Sequence, residues 1–160
     1  MNDAVNIFLN NTFTTSDIKR RLILLKVFIY SKFFGSTFTS SDYDPADFSW
    51  LQSLGNGFFK QFTSTNATII LSKLEDELKQ LPVLIVYVPF EMPETEFFRL
   101  GNWLKTNLGS NFIFETRIDP DLIGGTALSW KGIYKDLSLR ETLLENRNQI
   151  LESFKEFING

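Results

Sequence analysis

The chain reads as an α+β protein, a small amino-terminal helical bundle followed by a β-α-β-β-β-α carboxyl-terminal domain. Three observations carry this expectation. Apolar residues recur at helical spacing up to about Leu81. At Leu81-Pro82 the pattern changes to a short β-branched run, Val83 to Val88, bounded by prolines at 82 and 89. Beyond it, alternating runs and glycine-pivoted turns frame two helical stretches. The change of pattern predicts a helical domain over 1–81 and an α/β domain over 82–160.

The elements follow in order. Ala4 to Leu9 suits a short helix. Thr15 or Ser16 can cap a longer one running to about Phe34, with Ile18, Leu22, Leu25, Ile29 and Phe33 on one stripe. Lys19, Arg20, Lys26 and Lys32 lie mostly off that stripe, and Gly35 ends it. Ser36 to Asp44 is rich in Ser and Thr and reads as a loop. Asp44-Pro45 is an N-cap followed by proline at the first helical position. The helix it opens carries Phe48, Leu51 and Leu54 and bends at Gly55-Asn56-Gly57, while Phe58, Phe59 and Phe62 continue the apolar surface. Asn66 to Leu81 is helical, with Ile70, Leu74 and Leu78 four apart and Ile69 and Leu71 widening the face.

In the second half, Val83 to Val88 is a buried strand. Glu94 to Leu108 is an amphipathic helix with Phe97, Leu100, Trp103 (or Leu104) and Leu108 on one side, stopped by Gly109. Phe112 to Ile118 alternates, with Phe112, Phe114, Thr116 and Ile118 facing one way. Leu128 and Trp130 share a face of the next strand, and Lys131-Gly132 is a tight turn into Ile133-Tyr134-Lys135. A last helix spans Leu139 to Ile158. Ser138 and Glu141 frame its start as a capping box, and Leu139, Leu143, Ile150, Phe154 and Phe157 lie on one side.

Composition narrows the function. The 160 residues are 43% hydrophobic and include 17 Phe, enough for a real core. The formal charge of −3 does not favour nucleic acid or anionic lipid. With no Cys, disulfides, zinc-thiolate sites and thiol nucleophiles are excluded. With no His, Ser-His-Asp and Cys-His catalysis and imidazole ligands are excluded too. The first residues lack the basic start and apolar stretch of a secretory signal. The longest apolar run, Leu81 to Phe90, contains two prolines and is too short to span a bilayer.

Candidate sites weigh toward structure. Asp42-x-Asp44 followed by Asp47 resembles a calcium loop in outline, but Asp47 and Ser53 stand where an EF-hand needs Gly and Glu, so helix capping accounts for it better. Gly55-Asn56-Gly57 lacks both a preceding strand and a third glycine, so it reads as a turn and not as a phosphate cradle. Glu91, Glu94 and Glu96 gather at a helix start, where the macrodipole alone accounts for acidic residues. The Phe pairs 33-34, 58-59 and 97-98 suit a core better than a stacking platform for RNA. No catalytic, cofactor-binding or metal-ligating residue is assigned.

The most ordered stretch is Ile118-Asp119-Pro120-Asp121-Leu122-Ile123-Gly124-Gly125, continued by Asp136-Leu137-Ser138-Leu139-Arg140. The connection from Ile118 to Thr126 must reverse the chain while Leu122 and Ile123 fold under the sheet. Glycine permits the positive φ or the close backbone approach that this needs.

This stretch resembles the carboxyl-terminal signature of the ATP synthase delta subunit, the family of the oligomycin-sensitivity-conferring protein, in a short divergent bacterial form. The resembling residues are Ile118, Asp119, Leu122, Ile123, Gly124, Gly125, Asp136, Ser138 and Arg140, with Leu143 opening the last helix. It covers about Val83 to Leu143. Thr126 departs from the family, which has an aliphatic residue there, and the amino half is shorter than the family's six-helix domain, suggesting four or five helices.

The resemblance implies a non-catalytic stator subunit, peripheral on the cytoplasmic face of the inner membrane, with no nucleic-acid partner, no direct membrane insertion and no cofactor. The helical domain would bind the amino-terminal helices of alpha subunits of the catalytic head. The carboxyl domain would bind the membrane-anchored b subunits of the peripheral stalk, and the joint would resist rotor torque. The helices at 16–34 and 66–81 could offer the head-binding groove. Phe154, Phe157 and Ile158, near the end of the last helix, are the candidate stalk-binding residues. The alternative is a stand-alone α/β module binding RNA or another protein.

Overall fold

A computed structural model describes residues 2–159, without the side chains of Asn2, Glu141 and Asn159. Among the described residues the protein is mixed α/β, with eight α-helices and a four-stranded mixed sheet. The helices are α1 (Asn2–Phe8), α2 (Thr15–Phe34), α3 (Pro45–Ser53), α4 (Gly55–Phe59), α5 (Ala67–Lys79), α6 (Glu94–Leu108), α7 (Leu139–Glu145) and α8 (Arg147–Asn159). The strands are β1 (Val83–Val88), β2 (Ile113–Ile118), β3 (Ala127–Trp130) and β4 (Ile133–Asp136), ordered β2-β1-β3-β4. Among the described residues no helix is long and apolar enough to cross a membrane.

The chain forms two compact units that interleave in sequence. One comprises the chain up to Val83 with Phe98–Glu115, and the other Leu84–Phe97 with the chain from Thr116 on. The first unit therefore takes in most of α6 as well as the five helices before β1.

The helical unit is built on α2. Its N-cap is Thr14, just before the expected Thr15 or Ser16. Thr14 Oγ1 accepts from the Asp17 N–H at 3.0 Å, and Asp17 Oδ2 accepts from the Thr14 N–H at 3.1 Å. This reciprocal box fixes the start of the helix, which leaves through Gly35 in the left-handed region (φ 73°). Ile18, Leu22, Leu25 and Ile29 are buried as their spacing requires, and Leu24 joins them. Asp44 caps α3 by accepting from the Ala46 N–H at 2.7 Å. Trp50 sits edge-on to Phe8 and donates its indole N–H to the Phe8 carbonyl at 3.2 Å.

The part of α6 in this unit buries Gly101 and Leu104, not Trp103 or Leu108, which stand exposed. The reason is Phe13. A Cβ on Gly101 would lie 2.7 Å from that ring, so only glycine lets the helix seat there. Lys105, one turn on, donates to the carbonyls of Leu9 and Thr12. At the start of β2, Phe112, Ile113 and Phe114 are all buried, so both faces of the strand are covered there and the expected alternation is lost.

In the other unit β3 pairs antiparallel with β1 and with β4. Trp130 faces Ile133 across a two-residue turn, Lys131-Gly132, whose residues both have positive φ (50° and 82°). That is the hairpin turn whose twist suits the flanking strands. Leu84, Val86 and Val88 are buried on one side, and Leu122 and Ala127 are buried as well. The expected single last helix is two helices. Asn146 leaves helical geometry (φ −95°, ψ 11°) between α7 and α8.

Candidate interaction surfaces

The turn after β2 and the start of α7 form one knot. Asp119 enters it with its N–H on the Val88 carbonyl at 2.8 Å, and its Oδ1 accepts from the Asp121 N–H at 3.1 Å. The Leu122 N–H returns to the Asp119 carbonyl at 3.2 Å and its side chain is buried. Ile123 is half exposed, so of the two expected to fold under the sheet only Leu122 tucks in. Gly124 and Gly125 both have positive φ (65° and 73°). At Gly125 a Cβ would lie 2.8 Å from the Leu137 carbonyl oxygen and 2.9 Å from Ser138 Cα. The carbonyls of Ile123 and Gly124 both accept from the Leu139 N–H, at 3.2 and 3.4 Å. Thr126, the departure from the family pattern, donates its hydroxyl to the Tyr87 carbonyl at 2.7 Å.

The second half of the knot is a cap. Asp136 Oδ1 accepts from the Ser138 N–H at 2.8 Å, and hydrogen bonds from Ser138 hold the Asp136 carboxyl below its ordinary range. Ser138 Oγ accepts from the Arg140 N–H at 3.3 Å and is buried, which fits a cap and leaves no exposed hydroxyl for a nucleophile. The expected reciprocal contact from Glu141 lies outside the described residues. Ser138→Ala should lower stability by about 1 kcal/mol, measured by urea denaturation. A loss below a few tenths would mean the carbonyls of Ile123 and Gly124 suffice to hold the helix start.

Between α2 and α5 lies a small, mainly apolar cleft of about 230 Å3. Ile18, Leu22, Leu78 and Val83 line it, with Lys19, Glu75 and Lys79 also at its wall. Glu75 takes Lys26 at 2.5 Å and Lys79 at 2.9 Å. Those bonds, Lys26 first, bring its pKa to about 2. The carboxylate is thus engaged on both sides and is not poised to exchange protons near neutral pH.

The third feature is α8. Every described side chain on it is exposed except Ile150, which is partly covered. Phe154, Phe157 and Ile158 are 61%, 86% and 77% exposed, values far above those of a core face. Ile150, Phe154 and Phe157 line a shallow depression along the helix.

Lys105, Asp44 and Asp47 have structural duties. Lys105 has a pKa of about 8, because burial disfavours the ammonium and the nearby Arg21 charge adds to it. Its amine is turned onto the carbonyls of Leu9 and Thr12 and lies over the Phe13 ring, so it holds the α1–α2 corner to α6. Asp47 bonds Arg20 and Arg21, and Asp44 is a cap, so two of the three acids at 42–47 serve the fold. Glu91, Glu94 and Glu96 are exposed. Among the described residues, no group of three or more acidic side chains could hold a metal ion. Of the Phe pairs, Phe58 is core, while Phe34 and Phe98 are exposed, against their expected place. No known family matches the chain, and no curated protein is detectably similar to it.

Proposed function

We propose that this protein is a non-catalytic stator subunit of a proton-translocating rotary ATP synthase, joining the alpha subunits of the head to the b subunits of the stalk. In this reading the helical unit built on α2 supplies the head-binding surface, and the unit that carries the turn-and-cap knot and α8 grips the stalk. One observation carries it. The residues that resemble the delta-subunit signature, Ile118 to Gly125 and Asp136 to Arg140, are those that meet in the turn-and-cap knot, so the resemblance concerns a physical unit and not scattered identities. The α2–α5 cleft supports a head contact, since a narrow apolar channel between helices suits an anchoring side chain from an amphipathic segment. The exposed face of α8 supports a stalk contact, since large clustered apolar side chains left in water mark an interaction surface.

The role is mechanical: a joint must transmit torque without yielding. A knot closed by main-chain hydrogen bonds and a buried cap is stiff where an exposed loop would flex. The test is co-purification with b subunits and protection of an alpha-subunit amino-terminal peptide from proteolysis, at low salt and near-neutral pH. Neither association occurring would overturn the reading. Truncation after Ile150 should abolish b-subunit binding yet retain the alpha-peptide contact. Because every described side chain it removes is exposed, it should change stability by no more than about 0.5 kcal/mol. Unchanged stalk binding by that variant would exclude the end of α8 as the contact.

A further inference from the structure

The face of α7 and α8 that is left in water has its own chemistry. Apolar doublets recur every seven residues, at Leu143-Leu144, Ile150-Leu151 and Phe157-Ile158. Seven-residue recurrence is the signature of a stripe made to pack along another helix. Leu144, Leu151, Phe157 and Ile158 are 64%, 46%, 86% and 77% exposed, so the stripe is uncovered by the chain itself.

Two cations stand within that stripe. Arg147 precedes Ile150 and Leu151 by three and four residues, and Arg140 stands in the same relation to Leu143 and Leu144, so each shares its helix face with the doublet. Both arginines are exposed. The acidic residues Glu145, Glu152 and Glu156 fall on the opposite side of their helices. Charge is therefore segregated, with both arginines inside the apolar face, Lys155 at its flank and these three carboxylates on its back.

We infer that this face docks an amphipathic α-helix whose apolar stripe carries Asp or Glu opposite Arg140 and Arg147. The inference rests on the stalk reading above and names the chemistry of the partner at that site. Packing the stripe against lipid would require the reverse pattern, apolar residues on one face and cations on the polar one. A second copy of this chain would bring four guanidinium groups into one seam. A helix with acidic positions answers both the stripe and the charges, and a guanidinium donates two parallel hydrogen bonds to a carboxylate.

The probes are two synthetic three-heptad peptides with the same Leu and Ile stripe, one bearing Glu and the other Lys at two positions within it. Fluorescence anisotropy with the full chain should show the Glu peptide binding at least about tenfold tighter, as one well-placed charge pair allows. Arg147→Glu should abolish the preference, since it leaves one cation and one carboxylate in the stripe, with far-ultraviolet circular dichroism unchanged because the position is exposed. Equal binding of both peptides, or binding of neither, overturns the inference. So does self-association of the wild type that Arg147→Glu strengthens, or flotation with phosphatidylglycerol vesicles in place of peptide binding. Recruitment of b subunits indifferent to Arg147→Glu overturns this inference and leaves the stator reading standing. Capture of the Glu peptide by a chain that ignores b subunits does the opposite.

Discussion

Gly125→Ala is expected to destabilise the protein by roughly 3 kcal/mol, against about 1 kcal/mol for Gly132→Ala. Both glycines have positive φ, 73° and 82°, so alanine carries the same backbone strain at either place. What differs is the surroundings. Around Gly132 a Cβ meets nothing within 4 Å, whereas at Gly125 it strikes the Leu137 carbonyl oxygen at 2.8 Å and Ser138 Cα at 2.9 Å. Those are backbone atoms, and they cannot swing aside as a side chain could. Relief would have to separate the turn from the start of α7. That would break the bonds from the Leu139 N–H to the carbonyls of Ile123 and Gly124 and disturb the Ser138 cap. Urea denaturation of the two variants checks this. Equal losses would mean that φ alone explains the glycine and that the close approach carries no energy.

Features fixed by neighbours in sequence were legible in it. Asp44-Pro45, Lys131-Gly132 and Ser138 each act within a few residues of themselves, and each stands in the role its spacing implied. The cap of α2, Thr14, lies one or two residues before the expected Thr15 or Ser16, although the signal is present in the sequence. Thr14-x-x-Asp17 is a capping pattern in its own right, and the neighbouring Thr15 and Ser16 concealed it.

What depended on distant partners was not legible. Gly101 looks like an ordinary break in an amphipathic pattern until Phe13 lies against it. Spacing left Trp103 and Leu104 as alternatives on the stripe, and the glycine seat sets that Leu104 turns inward. Asp47 reads as one more acid in a helix start, because its partner Arg21 comes from a different helix. The apolar residues of the last helix were visible by spacing. Periodicity reports only that a face exists, though, not whether the chain itself covers it. The exposure of Phe154 and Phe157, already expected on a docking surface, is thus a structural finding that the spacing alone could not supply.

Asp47→Ala should be the most damaging change in the helical unit, at about 3–5 kcal/mol, the loss found when one partner of a buried ion pair is removed. The Arg21 and Asp47 side chains are only 7% and 3% exposed and lie 3.2 Å apart. Arg20 closes over the same carboxylate from the outside. Arg21 also donates to the Asn11 carbonyl at 2.5 Å and to Thr12 Oγ1 at 2.7 Å, and lies over Trp50. Removing the carboxylate leaves those neutral contacts and an uncompensated charge. Replacing both partners with apolar residues, as in Arg21→Met with Asp47→Leu, should recover much of the loss, since no charge is then stranded. The pH response follows from the same geometry. Burial by itself would raise the Asp47 pKa, but hydrogen bonds from Arg20 and Arg21 outweigh it and hold the pKa below its ordinary value. A carboxyl depressed in the folded state stabilises the protein above its unfolded pKa of about 3.9, and that stability drains away as pH falls through the folded value. Wild-type stability should therefore fall below about pH 4 more steeply than that of Asp47→Asn, which cannot bind the proton. Parallel acid limbs in the two proteins would mean that Asp47 is not held ionised by its arginines.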